Sequence, residues 1–269
     1  MHDSLVRLLS ALRLYGPLRS TAERIAARSP AHSRRKRAMG AFYGRFVQPG
    51  DLCFDVGANV GNRTEVFLAL GAKVVAVDPQ PSCVRALRKR YDSDSRVIVV
   101  PRALGEREGE AEFLLSDAST ISSLSRDWIE AVRRSGRFRA YRWNRTMTVT
   151  VTTLDRLIEE HGVPAFVKID VEGYELPVLR GLSRPVGALS LEFVPEFIKA
   201  AVEAVRHLDR IGMTRFNYSS GESMSLALSE WVGAEEIAGL LESFADPGVW
   251  GDVYARGTDE AFGHSSSAP

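Results

Sequence analysis

The sequence predicts an α/β protein built on a doubly wound, mainly parallel sheet. Three observations carry that expectation. Short apolar runs alternate with helical segments between residues 51 and 100, a glycine-rich turn joins the first strand to its helix, and the alternation resumes after residue 165. Strand, helix, strand, helix, strand in about fifty residues calls for crossover connections, which helices supply between parallel strands.

The elements follow in order. Leu5, Leu8, Leu9 and Leu12 stand at helical spacing, so residues 1–39 read as an N-terminal helical extension packed on the domain or a partner rather than lying on a membrane. Arginines 7, 13, 19 and 24 interrupt its apolar positions, and no secretory signal or continuous apolar span is evident. Arg34, Arg35, Lys36 and Arg37 read as a solvated charged loop or helix start. Residues 40–256 form the main domain. Leu52–Val56 is a buried strand, followed by a helix through Val60, Val66, Phe67 and Leu70 that stops at Gly71. Residues 74–77 are the second strand, Pro79 and Pro81 lead into a helix carrying Val84, Leu87 and Tyr91, and Val97–Val100 is the third strand.

Residues 105–150 read as an insertion or cap, with a serine- and threonine-rich stretch at 116–125 and an arginine-rich one at 126–145. Thr153 is an N-cap for a helix ending near Gly162. Residues 166–170 form a strand, 175–179 a helix and 188–194 another strand. A helix through Phe197, Ala201, Val205 and Leu208 ends at Gly212, and residues 214–218 and 249–254 are the final strands. The tail, 257–269, reads as disordered.

Composition narrows the function. With 269 residues, 45% hydrophobic and 26% charged, the chain can bury a sizeable core, and a net charge of +1 gives no global attraction to nucleic acid or anionic membrane. No RNA-binding module is recognisable. The two cysteines, Cys53 and Cys83, make no disulfide framework, so a reduced, cytoplasmic protein is expected. Five histidines show no metal-ligand spacing, which argues against zinc. A homodimer is compatible with the sequence.

The most informative segment is Asp55-Val56-Gly57-Ala58-Asn59-Val60-Gly61-Asn62-Arg63-Thr64, where a buried strand turns into a helix. Glycines there permit a sharp turn and a close ligand approach, at the junction where doubly wound sheets bind nucleotide-like ligands. A dinucleotide fingerprint would need a middle glycine where Asn59 stands. Asp55 suits a cationic amino-acid end better than a pyrophosphate, and Asp78, ending the second strand, suits ribose hydroxyls. An acid, Gly-x-x-x-Gly and a second-strand acid together point to S-adenosylmethionine. Asp55 as a helix cap and Asp78-Pro79 as a turn are the structural alternatives.

Residues 54–61, with Val167-Lys168-Ile169-Asp170-Val171-Glu172-Gly173-Tyr174-Glu175 much later, resemble the FkbM-type methyltransferases. Ala103-Leu104-Gly105 and Thr153-Leu154-Asp155 also fit that pattern, and the likeness covers about residues 40–255. The resemblance implies a class I methyltransferase fold, Rossmann-like, with seven strands of which the last is antiparallel. It implies O-methylation of small molecules, natural products or sugars. By position, Asp55, Gly57, Ala58, Asn59, Gly61 and Thr64 would line the cofactor's methionine and ribose side, with Asp78 and Pro79 at the ribose. Arg102 and Ala103 would lie near the adenine, core packing being the alternative for Ala103.

An alcohol acceptor must lose its proton as the new bond forms, so a base or metal belongs near the methyl group. Asp170 and Glu172, at the C-terminal end of a central strand, are the catalytic candidates, and Asp170 also borders the cofactor. Two apart on an extended strand, they would point to the same side. Asp170 is the leading base and Glu172 its partner; the alternative makes Glu172 a helix cap and Asp170 a cofactor ligand only. Lys168 reads as a structural ion-pair partner of Asp170. Glu192 is a further acid facing the site, and the three acids are the set a Mg²⁺ ion would use, which leaves metal dependence open.

On the acceptor side, Arg139, Arg142 and Trp143 belong to an arginine-rich stretch interleaved with aromatics. Arginine pairs with phosphate or carboxylate and aromatics stack on sugars, so an anionic or glycosylated acceptor is expected, a solvated helix face being the alternative. The serine-rich stretch 116–125 reads as a polar loop, with a mobile lid as the sharper alternative. Two other functions stay open: methylation of RNA or protein, and an inactive cofactor-binding scaffold.

Overall fold

A computed structural model describes residues 30–244 and 249–257, so the expected first helix and most of the tail lie outside the described residues. The chain divides into two compact units, Met1–Phe42 and Tyr43–Pro269. Helix α1 (Pro30–Tyr43) contains the basic cluster, with Arg34, Arg35 and Arg37 exposed.

The larger unit is built on the expected sheet. Its strands are β1 (Leu52–Val56), β2 (Lys73–Val77), β3 (Val97–Val100), β7 (Phe166–Ile169), β8 (Ala188–Phe193), β9 (Arg215–Ser220) and β10 (Gly251–Arg256). They lie in the order β3-β2-β1-β7-β8-β10-β9. Only β10 runs against the others, pairing antiparallel with both β8 and β9. Strands β1, β2, β7 and β8 are buried at nearly every position because helices cover both faces. The chain winds outward from β1 through β2 to β3, then returns to β7 on the other side of β1. That reversal opens a crevice at the C-terminal ends of β1 and β7.

Connecting helices begin and end where the sequence allows. Helix α2 (Asn62–Ala69) follows the glycine turn and stops at Gly71, whose φ of 88° takes the left-handed bend. Helix α3 (Pro81–Tyr91) carries proline in its first turn, where no N–H is needed. Val84, Leu87 and Tyr91 form its buried stripe.

Between β3 and β7 the chain makes a second, three-stranded sheet in the order β4-β6-β5, from β4 (Ala103–Leu104), β5 (Gly109–Ser116) and β6 (Trp143–Thr152). Helix α4 (Arg126–Ser135) belongs to this cap; the Ser125 hydroxyl accepts a bond from the Trp128 N–H at its start. Stretch 116–125 is polar in composition, but much of it is packed rather than solvated. Ser116, Ser122, Ser123 and Ser125 are buried, because their hydroxyls bond to backbone groups that would otherwise need water.

Helix α5 (Leu154–His161) leads into β7, helix α6 (Glu175–Arg180) follows it, and helix α7 (Ile198–Arg210) follows β8. The sequence reading passed over helix α8 (Ala234–Ser243), which buries Ile237, Ala238 and Leu241 and ties Glu235 to Arg206 of α7 at 3.2 Å. Thr153 accepts from the Arg156 N–H at 3.1 Å to start α5. Thr153→Ala should therefore cost about 1 kcal/mol, read as a lower urea midpoint with an unchanged m-value.

Candidate active site

The turn after β1 is a tight knot of backbone. The Gly57 and Ala58 N–H groups both donate to the Val77 carbonyl, at 2.9 and 3.0 Å. Gly57, Asn59 and Gly61 have φ of 83°, 49° and 85°. At Gly57 the need for glycine is steric as well: a Cβ would sit 1.9 Å from the Asp170 carbonyl oxygen. The glycine turn and the acid-bearing end of β7 therefore touch through backbone.

The acids flanking the turn have distinct surroundings. Asp55 is buried and accepts the Thr64 hydroxyl at 2.5 Å, joining β1 to α2, and burial pushes its carboxyl up. Asp78 accepts from the Asn59 N–H at 2.9 Å through one oxygen and the Gln80 N–H at 2.8 Å through the other. Its burial raises the carboxyl to about 6. Pro79 follows, half-buried. Opposite, the 3₁₀ turn Ser119–Ile121 closes on the crevice: the Asn59 amide donates to the Ser119 hydroxyl at 3.2 Å and the Gln80 amide to the Ser119 carbonyl at 3.0 Å. Gln80 and Ser119 were not singled out from the sequence, which has no local signal for a contact across 39 residues. Arg102 pairs with Glu160 at 3.8 Å, and Ala103 is buried in the small sheet's core.

At the end of β7 the three acids converge. One carboxylate oxygen from each of Asp170, Glu172 and Glu192 lies within 4.8 Å of the others, with all three residues half-buried. The convergence does not come from strand alternation. Strand β7 ends at Ile169, and Glu172 and Gly173 take φ of 56° and 83°, so a left-handed turn brings Glu172 round. Nor does Glu172 cap α6: the Glu175 carboxylate accepts the Val171 and Gly173 N–H groups at 3.1 and 3.2 Å. Ser123 of the cap donates to the Glu172 carbonyl at 2.6 Å, fixing the turn from above.

Burial, then repulsion from Asp170 and Glu175, holds the Glu172 carboxyl well above its usual range; burial, then Glu172 and Asp170, does the same for Glu192. Below the cluster lies Lys168, 1% exposed, with Nζ 2.8 Å from Asp252 and 3.4 Å from Asp170. Such a cluster can share protons or take a cation.

Beside it, a small recess is lined by Glu192, Glu175, Trp128, Leu176, Phe193 and Phe197, among others. Of the expected acceptor residues, the structure brings Glu192 to the cluster. Arg139 and Arg142 lie exposed on the cap. Trp143 is half-buried in the cap's apolar cluster, its indole N–H donating to the Ile121 carbonyl at 2.7 Å under the Arg133 guanidinium.

Residues 55–219 match the model of the methyltransferase FkbM domain. The chain belongs to the FkbM methyltransferase family. It is 29% identical over 160 residues to the hexuronic acid methyltransferase AglP of Haloferax volcanii, an alignment covering 58% of this chain and 59% of the relative. Among solved structures it resembles a precorrin-6y C5,15-methyltransferase from Geobacter metallireducens (TM-score 0.44, 10% identity, 83% and 87% of the two chains). It also resembles an O-methyltransferase from Bacillus cereus in complex with SAH (TM-score 0.44, 12% identity, 85% and 81%). The seven-stranded sheet and its antiparallel last strand are those the family resemblance implied. No helix among the described residues is long and apolar enough to cross a membrane.

Two outcomes test the site's construction. Gly57→Ala should lose more than the about 1–3 kcal/mol of left-handed strain, because the methyl also overlaps the Asp170 carbonyl; denaturant unfolding measures it. Burial raises the Glu175 carboxyl to about 7, so folding favours its protonated form. Its stabilising contribution is full below the ordinary carboxylate range and falls as pH rises through 7. Glu175→Gln, which keeps an oxygen to accept both N–H groups, should flatten the decline of Tm between pH 5 and 8 in calorimetry.

Proposed function

We propose that this FkbM-family chain binds S-adenosylmethionine across the glycine turn and transfers its methyl group to a hydroxyl oxygen of a small-molecule or glycan acceptor. The observation that carries the reading is the contact of the turn at Gly57 with Asp170, the first member of the acid cluster. A ligand lying over the turn would have one end at Asp78 and the other at the carboxylates. When bound, the cofactor supplies an electrophilic methyl on a sulfonium, which leaves as the thioether.

The residues fit that ligand. The left-handed turn packs Gly57 against Asp170 and Gly61 against Leu87 and Tyr91, and Asp78 sits where ribose hydroxyls would reach its carboxylate. Ala58, Asn59 and Pro79 complete that wall, while Asp55 and Thr64 brace it from behind. Arg102 is the candidate for the adenine end, while Ala103 packs in the small sheet's core behind it.

At the other end, protons held on Glu172 and Glu192 leave Asp170, the acid touching Lys168, as the base that takes the hydroxyl proton. Glu172 and Glu192 then orient the acceptor oxygen by hydrogen bonds. Alignment of oxygen, methyl and sulfur is the main catalytic contribution. The relative's printed substrate, a hexuronic acid, supports a sugar hydroxyl as acceptor, with Arg139, Arg142 and Trp143 of the cap as outer contacts. A Mg²⁺ ion is the second reading of the same three oxygens, favoured by their mutual spacing.

Calorimetric titration should give micromolar binding of S-adenosylmethionine, weakened at least about tenfold by Asp78→Ala, since each lost charged hydrogen bond is worth about 1.5–3 kcal/mol. No binding by the wild type would overturn the reading. With tritiated cofactor and p-nitrophenyl glucuronide, p-nitrophenyl glucoside and catechol as acceptors, Asp170→Asn should abolish label transfer and keep cofactor affinity. Wild-type transfer by that variant would remove Asp170 as base. Loss of transfer on chelation, restored by Mg²⁺, would select the metal reading over the proton-sharing one.

A further inference from the structure

Lys168 stands inside the sheet, on a strand otherwise occupied by Phe166, Val167 and Ile169. An ammonium so buried is tolerated only when paired, and its shortest bond, 2.8 Å, goes to Asp252 rather than to Asp170. Asp252 lies on β10, beyond the residues that match the family model and two strands away.

The register explains how they meet. Lys168 is level with Ser190 of β8, and Ser190 with Tyr254 of β10, so the three share a face. Asp252 is level with Glu192, one step further toward the site. The lysine side chain must cross β8 to reach it, and Ser190, fully buried between Leu189 and Leu191, offers a small residue at the crossing. Tyr254 donates to the other Asp252 oxygen at 3.4 Å. Asp252 thus anchors the ammonium, and the ammonium in turn contacts the half-exposed Asp170 carboxylate at 3.4 Å.

We propose that Asp252 and Lys168 are positioning residues that hold the Asp170 carboxylate in the acid cluster, making the antiparallel strand part of the active-site frame. The proposal rests on Asp170 as the base. A purely structural role explains the pair less well, because buried ion pairs are commonly replaced by apolar residues of like size without loss of stability. Without the ammonium, Asp170 loses its 3.4 Å ion pair, faces Glu172 and Glu192, and turns toward solvent.

The test is the double variant Lys168→Met with Asp252→Leu. Its Tm and its affinity for S-adenosylmethionine should stay near wild type. A crystal structure with SAH should show the Asp170 carboxylate displaced from Glu172 and Glu192. On p-nitrophenyl glucuronide, or whichever of the three acceptors takes label, kcat should fall about a hundredfold with KM little changed, the scale of a misplaced reacting group. An unmoved Asp170 carboxylate overturns the proposal, as does an unchanged kcat in a protein whose Asp170→Asn variant has lost transfer. If the double variant does not fold, Asp252→Asn keeps the side-chain shape and is read the same way. Displacement of Asp170 in a protein whose Asp170→Asn variant still transfers label would sink the base assignment and leave the positioning pair standing.

Discussion

The architecture of the site depends on one close approach, that of Gly57 to the Asp170 backbone. The two residues follow neighbouring parallel strands, β1 and β7, which separate from one another in sequence by more than half the domain. Their contact is possible only where the winding order reverses, and only if the turn after β1 carries no side chain toward β7. A larger residue would force apart the glycine turn and the turn that carries the acids. Helix placement, the cap and the distant strand β10 all serve to hold these two turns together.

Charge is managed in the same economy of space. Asp55 and Asp78 are buried acids that accept from a hydroxyl or from backbone N–H groups, and so brace the glycine turn. Glu175 closes the turn after β7 in the same manner. Asp170, Glu172 and Glu192 differ: they face one another, and a lysine reaches them from inside the sheet. Crowded carboxylates are costly for folding, and their retention at the mouth of a crevice points to chemistry rather than stability.

Much of this was legible in the sequence. The bounds of β1 and β3 coincide with the apolar runs, and the glycine turn, Asp78 and the Asp170–Glu172 pair announce themselves by position. Glu192 was legible as a late-strand acid. Helix α8 was not, because alanines dilute its apolar face and Gly239 interrupts it. Trp143, with its arginine-rich neighbours, looked like a stacking surface; only the cap's fold shows its N–H turned to Ile121. Asp252 carries no local signal at all, since its importance arises from antiparallel pairing with β8 and a lysine 84 residues earlier. Glu172 reached its partners by a left-handed turn that no alternation rule foresees.

The account stands on the glycine turn and the acid cluster being two ends of one ligand site. A crystal structure of the full chain with SAH tests that directly. The account predicts the ribose against Asp78 and the thioether sulfur facing the Asp170, Glu172 and Glu192 carboxylates, with Asn59 and Ser119 closed over the ligand. SAH bound elsewhere, or with its sulfur turned away from the acids toward the β3 edge of the sheet, would contradict it.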